Sequence, residues 1–339
     1  IIMKYETQEE VVYSSGDYEC LAHNICSGQT SVIVVMGIHG DEQGPLGIVE
    51  DMLEEGDLDY DELDITLIPK ANAFAFNECS RETPSTVQGV EADEGDMNRT
   101  FEDARRALNG DEGTQDLLTT GQAGYKLLEY IEERDPDLVM DLHTGTSETK
   151  KMAQARYKFQ EGYKVDKEEM KNAAANAGVD VVAGVPGEGA QMMSAVLPKV
   201  GVPAVTLEAG GGERHGKEGS FEQDEAESYK GMVTSILDYM AGVNVSDYEP
   251  TECTDIEKFA APPETPAGSE VKYHVNLGEE VAEDDAVATI TPPNEDGDDA
   301  EDEKIELKAP YDGIVETVRS GTSRDDIRNG NRIFNIASK

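Results

Sequence analysis

The sequence has no tryptophan, 6% aromatic residues, four cysteines, five histidines and only 28 basic residues against 72 acidic ones. Each shortage excludes something. Basic residues this sparse and unclustered cannot neutralise a run of phosphates, so nucleic acid is excluded as a partner, and so are anionic membranes. Cys20, Cys26, Cys79 and Cys253 form no CxxC pair and no zinc-finger spacing. They read as free thiols of a reducing compartment. No apolar stretch approaches the ~20 residues of a membrane span. Ile1-Ile2-Met3 is too short for the apolar part of a signal peptide, so the expected location is the cytoplasm.

The acid is plentiful, with a formal net charge of −44, and it is spread along the whole chain. Short Val- and Ile-rich runs separate this sequence from a disordered acidic chain, which would lack them. We read a folded protein inside an acidic shell. Such a shell repels itself at low ionic strength, and at molar salt the screening length shrinks to about 3 Å. The simplest source is a salt-accumulating halophile such as a halophilic archaeon. A substrate of the same negative sign would need a locally positive cleft, for which Arg81 and Arg99 are the candidates.

The most informative stretch is Gly37-Ile38-His39-Gly40-Asp41-Glu42. It follows a short apolar run, 31–36, that reads as a buried strand. His39 and Glu42 are three apart at the end of that strand, where α/β sheets bind ligands, and both side chains can reach one metal ion. A catalytic zinc takes three protein ligands and keeps one position open, and two His with one Glu is an established set. The third ligand must come from elsewhere. His143 ends a second apolar run, 136–145, and lies at the same edge if the two strands are parallel. Asp141, two residues earlier, can orient a ligand as outer carboxylates do. Taken singly, either histidine is an ordinary strand-end residue.

Two arginines and a third strand add to the set. Arg81 and the pair Asn98-Arg99 lie in a stretch rich in turn residues, 71–100. An Asn-Arg pair beside a metal suits a carboxylate, and a lone Arg can polarise a carbonyl. A surface Arg paired with an acidic neighbour is the plainer account of Arg81. Residues 203–212 form a third apolar run ending in Glu208 and a glycine series. A half-buried Glu at a strand end costs free energy unless paired or used. It either caps the next loop or acts as a proton carrier beside a metal-activated water.

Together, His39/Glu42, Asp96-Met97-Asn98-Arg99, Asp141-Leu142-His143 and Leu207-Glu208 resemble the succinylglutamate desuccinylase/aspartoacylase family over roughly residues 31–212. That family is distantly related to zinc metallocarboxypeptidases. The resemblance implies one zinc per chain, held by His39, Glu42 and His143. It implies Arg81 near the scissile carbonyl, Asn98 and Arg99 at the substrate carboxylate, and Glu208 as general base and acid. The implied reaction is hydrolysis of the amide of a small N-acyl amino acid. The substrate arginine that some members carry shortly before the catalytic Glu has no counterpart; Lys199 is the only basic residue there, and Arg214 and His215 follow instead. Acyl group, amino acid and oligomeric state (a homo-oligomer is one option) stay open. A metallocarboxypeptidase and a metal-binding interaction protein without chemistry are the alternatives.

The expected fold is α/β, a mostly parallel sheet covered by helices on both faces, with a small C-terminal all-β, barrel-sandwich-like domain. Strands are expected at 18–25, 32–38, 63–69, 138–142, 179–183 and 204–208. Helices are expected at 44–53, 121–133, 167–177, 191–197 and 221–240. The catalytic domain covers 1–250, a proline-rich linker 251–268, and the β domain 269–339. Residues 309–315 resemble the half-barrel turn of biotinyl/lipoyl-like domains. Lys304 is not at the spacing of their modified lysine, so no modification is expected.

Overall fold

Short runs of Val, Ile and Leu make the centre of a large sheet. The computed structural model describes residues 8–87, 90–91, 95–111, 119–146, 148–179, 181–186, 191–211, 223–243, 251–253, 255–293, 304–319 and 327–338. In chain order the first elements are β1 (Gln8–Ser15), β2 (Tyr18–Asn24), β3 (Thr30–Met36), α1 (Gly44–Glu55), β4 (Leu63–Ile68), α2 (Ala73–Asn77), β5 (Thr86–Val87) and β6 (Val90–Glu91). A 3-10 turn, Met97–Arg99, leads into α3 (Phe101–Leu108), α4 (Thr119–Arg134), β7 (Leu138–Thr144) and β8 (Thr149–Phe159). Then come α5 (Lys167–Ala175), β9 (Val181–Pro186), α6 (Met193–Val200), β10 (Ala204–Gly211) and α7 (Gln223–Met240). The remainder is strand: β11 (Thr251–Cys253), β12 (Asp255–Ala260), β13 (Glu270–Tyr273), β14 (Glu280–Val281), β15 (Ala286–Thr291), β16 (Ile305–Lys308), β17 (Gly313–Arg319) and β18 (Arg332–Ser338).

The main sheet runs β1-β2-β4-β3-β7-β10-β8-β17-β18-β12, with β9 and β11 continuing from β8 and β14 lying on β17. Strands β4, β3, β7 and β10 are mutually parallel. Alternate residues of β3 point to opposite faces. Val32, Val34 and Met36 pack under α1, α5 and α7, while Ile33 and Val35 pack with α3, α4 and α6. Helices on both faces explain why these strands read as continuous apolar runs.

The sheet is mixed, and the expectation of a mostly parallel one is corrected. Strand β8 runs antiparallel to β10, and β17 runs antiparallel to β8. The hairpin β1/β2 is antiparallel as well; β2 matches the strand expected at 18–25, and β1 lies where none was expected. The C-terminal strands therefore extend the main sheet through β8. The expected linker 251–268 contains two strands, β11 pairing with β9 and β12 with β18. A separate three-stranded sheet, β13-β15-β16, packs against β17 and β18 through Val271, Val287, Ile290, Val315, Ile333 and Phe334. Among the described residues no helix is long and apolar enough to cross a membrane.

One irregularity positions the site. Glu208 of β10 faces Gln154 of β8, but Gly210, two residues on, faces Lys151, three residues back. The extra residue on β8 is a β-bulge, which flips the side-chain alternation. It turns Lys151 onto the same face as Gln154 and Arg156, beside Glu208.

Candidate active site

β3 ends at Gly37, whose φ of +69° suits glycine and turns the chain toward α1. A Cβ on Gly40 would lie 2.0 Å from the Ala75 carbonyl carbon, so the turn packs on α2 only because that position is bare. This turn carries His39 and Glu42. In the parallel pairing, β7 delivers His143 opposite Glu208 of β10.

His39, Glu42 and His143 are 4%, 3% and 4% exposed, and one ligand atom from each lies within 4.8 Å of the others. His39 Nδ1 is 2.8 Å from Glu42 Oε1, and His143 Nδ1 is 2.8 Å from Glu42 Oε2. The Thr144 N–H donates to Glu42 Oε2 at 3.0 Å. Each imidazole has a second carboxylate behind it. Asp96 Oδ1 is 3.1 Å from His39 Nε2. Asp141 Oδ1 is 3.0 Å from His143 Nε2, a charge contact off the hydrogen-bonding angle.

Burial disfavours the imidazolium of His39, but Glu42 and Asp96 outweigh it and raise its pKa. His143 is raised further: burial opposes, while Asp141 and Glu42 prevail. Burial would raise Glu42, but the two histidines hold it well below the carboxylate range. Asp96 is brought down to about 2, its burial overcome by His39, Arg99 and Arg81. Both imidazoles turn Nε2 toward a carboxylate, Asp96 or Asp141, and Nδ1 toward Glu42; the tautomer protonated at Nε2 presents Nδ1 as a metal ligand. That donor set, buried and net negative, suits a divalent cation such as zinc.

Arg81 donates from Nη1 to Glu42 Oε1 at 2.9 Å, and its Nη2 lies 3.2 Å from His39 Nε2. Asn98 is buried, and its Oδ1 accepts the Met193 N–H at the start of α6, at 3.1 Å. That contact leaves the amide NH2 to point elsewhere. Arg99 is exposed and donates to the Asn98 carbonyl at 3.0 Å.

Glu208 is held by Lys151 Nζ at 2.5 Å and Arg156 Nη1 at 3.2 Å. Burial pushes its carboxyl up, and Lys151 and Arg156 more than offset this, so its pKa is lowered. Behind Arg156 lies Glu316 of β17, fully buried, which Arg156 Nη2 also contacts. Glu208, Lys151 and Arg156 line a cavity of about 320 Å³ that also touches His39, Glu42, His143, Arg81, Asn98 and Arg99. Two larger hollows, near 710 and 700 Å³, lie elsewhere and hold none of those six.

Residues 28–240 match the profile of the succinylglutamate desuccinylase/aspartoacylase catalytic domain. The chain belongs to the succinylglutamate desuccinylase/aspartoacylase family. The family hydrolyses carbon–nitrogen bonds other than peptide bonds, and this member is a hydrolase of that class. Curated protein sequences give no match. Among solved structures it is similar to the product-bound ectoine utilization protein EutE (DoeB) of Ruegeria pomeroyi, with 18% identity and a TM-score of 0.74 over 100% of this chain and 97% of that one. It is also similar to a putative succinylglutamate desuccinylase/aspartoacylase of Shewanella frigidimarina, at 17% identity and a TM-score of 0.72 over 100% and 98%. The protein of that family from Rhodobacter sphaeroides gives 17% identity and 0.69 over 100% and 98%. At these identities the likeness is one of fold.

All seven residues singled out in the sequence border one cavity in this family member. Lys199 does not; it pairs with Glu102 at 2.8 Å. Arg214 and His215 lie outside the described residues. Sequence reading gave no role to Asp96, Lys151, Arg156 or Glu316. Asp96 had a signal, since it caps the Met97–Arg99 turn by accepting the Asn98 N–H at 2.9 Å. Glu316 had none, because its partner Arg156 is 160 residues away.

Proposed function

We propose that this protein hydrolyses the amide bond of a small N-acyl amino acid with one zinc ion held by His39, Glu42 and His143. The observation that carries the reading is the convergence of that buried ligand set with Glu208 and a cation-rich cavity. Zinc bound there supplies Lewis-acid polarisation of the carbonyl and a water acidic enough to ionise near neutrality.

The chain's own groups do the rest. Glu208 takes the proton of the attacking water and passes it to the leaving amine. Lys151 and Arg156 keep that carboxylate ionised and in place. Arg81 is anchored on Glu42 and offers its remaining N–H groups to the carbonyl oxygen as charge gathers there. Asn98, its NH2 left over by the Met193 contact, and Arg99 take the substrate carboxylate. Asp96 and Asp141 orient the histidines. A cavity near 320 Å³ suits a small acyl amino acid better than a peptide C-terminus.

Functionally the chain divides into a catalytic part, 1–250, a joining segment, 251–268, and a barrel-sandwich-like β part, 269–339. We place the enzyme in the cytoplasm of a salt-accumulating cell, from its charge of −44, and allow a homo-oligomer. The test is hydrolysis of an N-acyl amino acid panel beside a C-terminal peptide panel, in concentrated KCl with zinc. Cleavage of acyl amino acids supports the reading. Cleavage of peptides alone, or of neither panel, overturns it.

A further inference from the structure

The cavity is lined by seven basic residues and two glutamates. Four of the seven are arginines, Arg332 of β18 among them, and a guanidinium keeps its proton in a protein. The three lysines, Lys151 and Lys158 of β8 and Lys258 of β12, are the ones that can release a proton and take one back. Of these, Lys151 bonds the carboxylate of Glu208.

The two cations on that carboxylate are placed differently. Arg156 is fully engaged: Nε donates to Gln154 at 2.8 Å, Nη1 to Glu208 Oε1 and Nη2 to Glu316. Lys151 donates to Glu208 Oε2 at 2.5 Å and has no other side-chain bond among the described residues. An ammonium carries three N–H groups. Two therefore remain, on a side chain that lines the cavity and is 14% exposed. The bulge in β8 puts it there. In an unbroken strand Lys151 would point away from the face of Gln154 and Arg156. The bulge gives up regular pairing and re-aims the side chain at Glu208. A cation that does no more than hold Glu208 ionised is already present in Arg156.

Glu208 stands between this ammonium and the metal ligands, because β10 lies between β7, which carries His143, and β8. An atom that bonds Glu208 Oε2 is within two hydrogen-bond lengths of Lys151 Nζ, and the flexible four-carbon stem can close that gap. Both oxygens of Glu208 accept from cations and its pKa is lowered, so a proton taken up there is readily given away.

We propose that Lys151 is a catalytic residue, whose ammonium protonates the leaving nitrogen and is then restored by Glu208. The attacking water gives a proton to Glu208 as its oxygen bonds the carbonyl carbon. The carbon–nitrogen bond breaks, and its electron pair stays on nitrogen, which takes a proton from Lys151. Glu208 passes its own proton to Lys151. Water and amide have become acid and amine, with both side chains as they began.

This relay rests on the deacylase reading. The zinc-loaded full chain in concentrated KCl is given the N-acetyl and N-succinyl derivatives of alanine and glutamate, and the thioesters in which sulfur replaces the amide nitrogen. A thiolate can leave without a proton; an amine cannot. Lys151→Arg keeps the charge but releases no proton. It should lower the amide-to-thioester ratio of kcat/KM by about 100-fold or more, with zinc content unchanged by elemental analysis. Lys151→Ala should lose amide hydrolysis, and added methylammonium should raise it again by about tenfold. An unchanged ratio in Lys151→Arg overturns the relay, and so does a Lys151→Ala enzyme on which methylammonium has no effect. Wild-type cleavage of thioesters without any amide overturns it as well. If the wild type cleaves neither kind, the deacylase reading fails, and the relay with it.

Discussion

Arg156 and Glu316 form a buried ion pair that crosses from β8, in the wall of the active site, to β17 of the C-terminal strands. Glu316 also accepts from Gln154 at 2.5 Å, Thr317 at 2.6 Å and Asn335 at 2.9 Å. The other side of Arg156 reaches Glu208. One guanidinium thus stands between the proposed base and a carboxylate supplied by the end of the chain.

Glu316→Ala should destabilise the protein by roughly 3–5 kcal/mol, because it strips a buried cation of a partner. Chemical denaturation measures it. A loss below about 1 kcal/mol would mean that solvent or Glu208 replaces the contact.

The same residue has a pH signature. Burial would raise its carboxyl, but Arg156 and Lys151, with the Thr317 and Asn335 hydrogen bonds, bring it down to about 2 from an ordinary 4.5. A depressed pKa gives stability that is present above the ordinary value and lost as pH falls toward the folded one. The stability gap between wild type and Glu316→Gln should be full above pH 5 and should close toward pH 2. A gap that stays constant with pH contradicts the ionised pair.

Glu208→Gln should lower kcat by about 10²- to 10⁴-fold and leave zinc content unchanged by elemental analysis. Normal turnover would remove Glu208 from the mechanism.

Asp96→Asn should weaken zinc binding by about 10- to 100-fold, since it removes the carboxylate behind His39. Competition against a chelator of known affinity reads this directly. Unaltered affinity would reduce Asp96 to a cap of the Met97–Arg99 turn.

Salt should stabilise the fold. With a net charge of −44, Tm should rise steeply from dilute buffer to molar KCl as self-repulsion is screened. A Tm that falls or stays flat would sink the halophilic reading.

Three of the site residues read in the sequence share one property: each sits at or near the end of a strand buried on both faces. Apolar runs flagged β3, β7 and β10, and the polar residue closing each run stood out as His39, His143 or Glu208. Strand β8 escaped because Lys150, Lys151, Arg156 and Lys158 break its apolar pattern; three of those four line the cavity. Its absence also made the sheet look mostly parallel. Asp96 was quoted only as part of a motif, because its contact with His39 spans 57 residues. Lys258 fell in a proline-rich stretch read as linker, which instead forms β12 against β18.

The position of β8 between β10 and β17 has a consequence for biosynthesis. When residues 28–240 have emerged from the ribosome, the proposed metal ligands and Glu208 already exist, and β8, paired with β9 over 155–159, still has an open edge at 149–151. Arg156 then has no Glu316, and the cavity has neither Lys258 nor Arg332. The pocket is finished only when β17 and β18 dock, so a nascent chain can gather its metal ligands well before it becomes a selective catalyst.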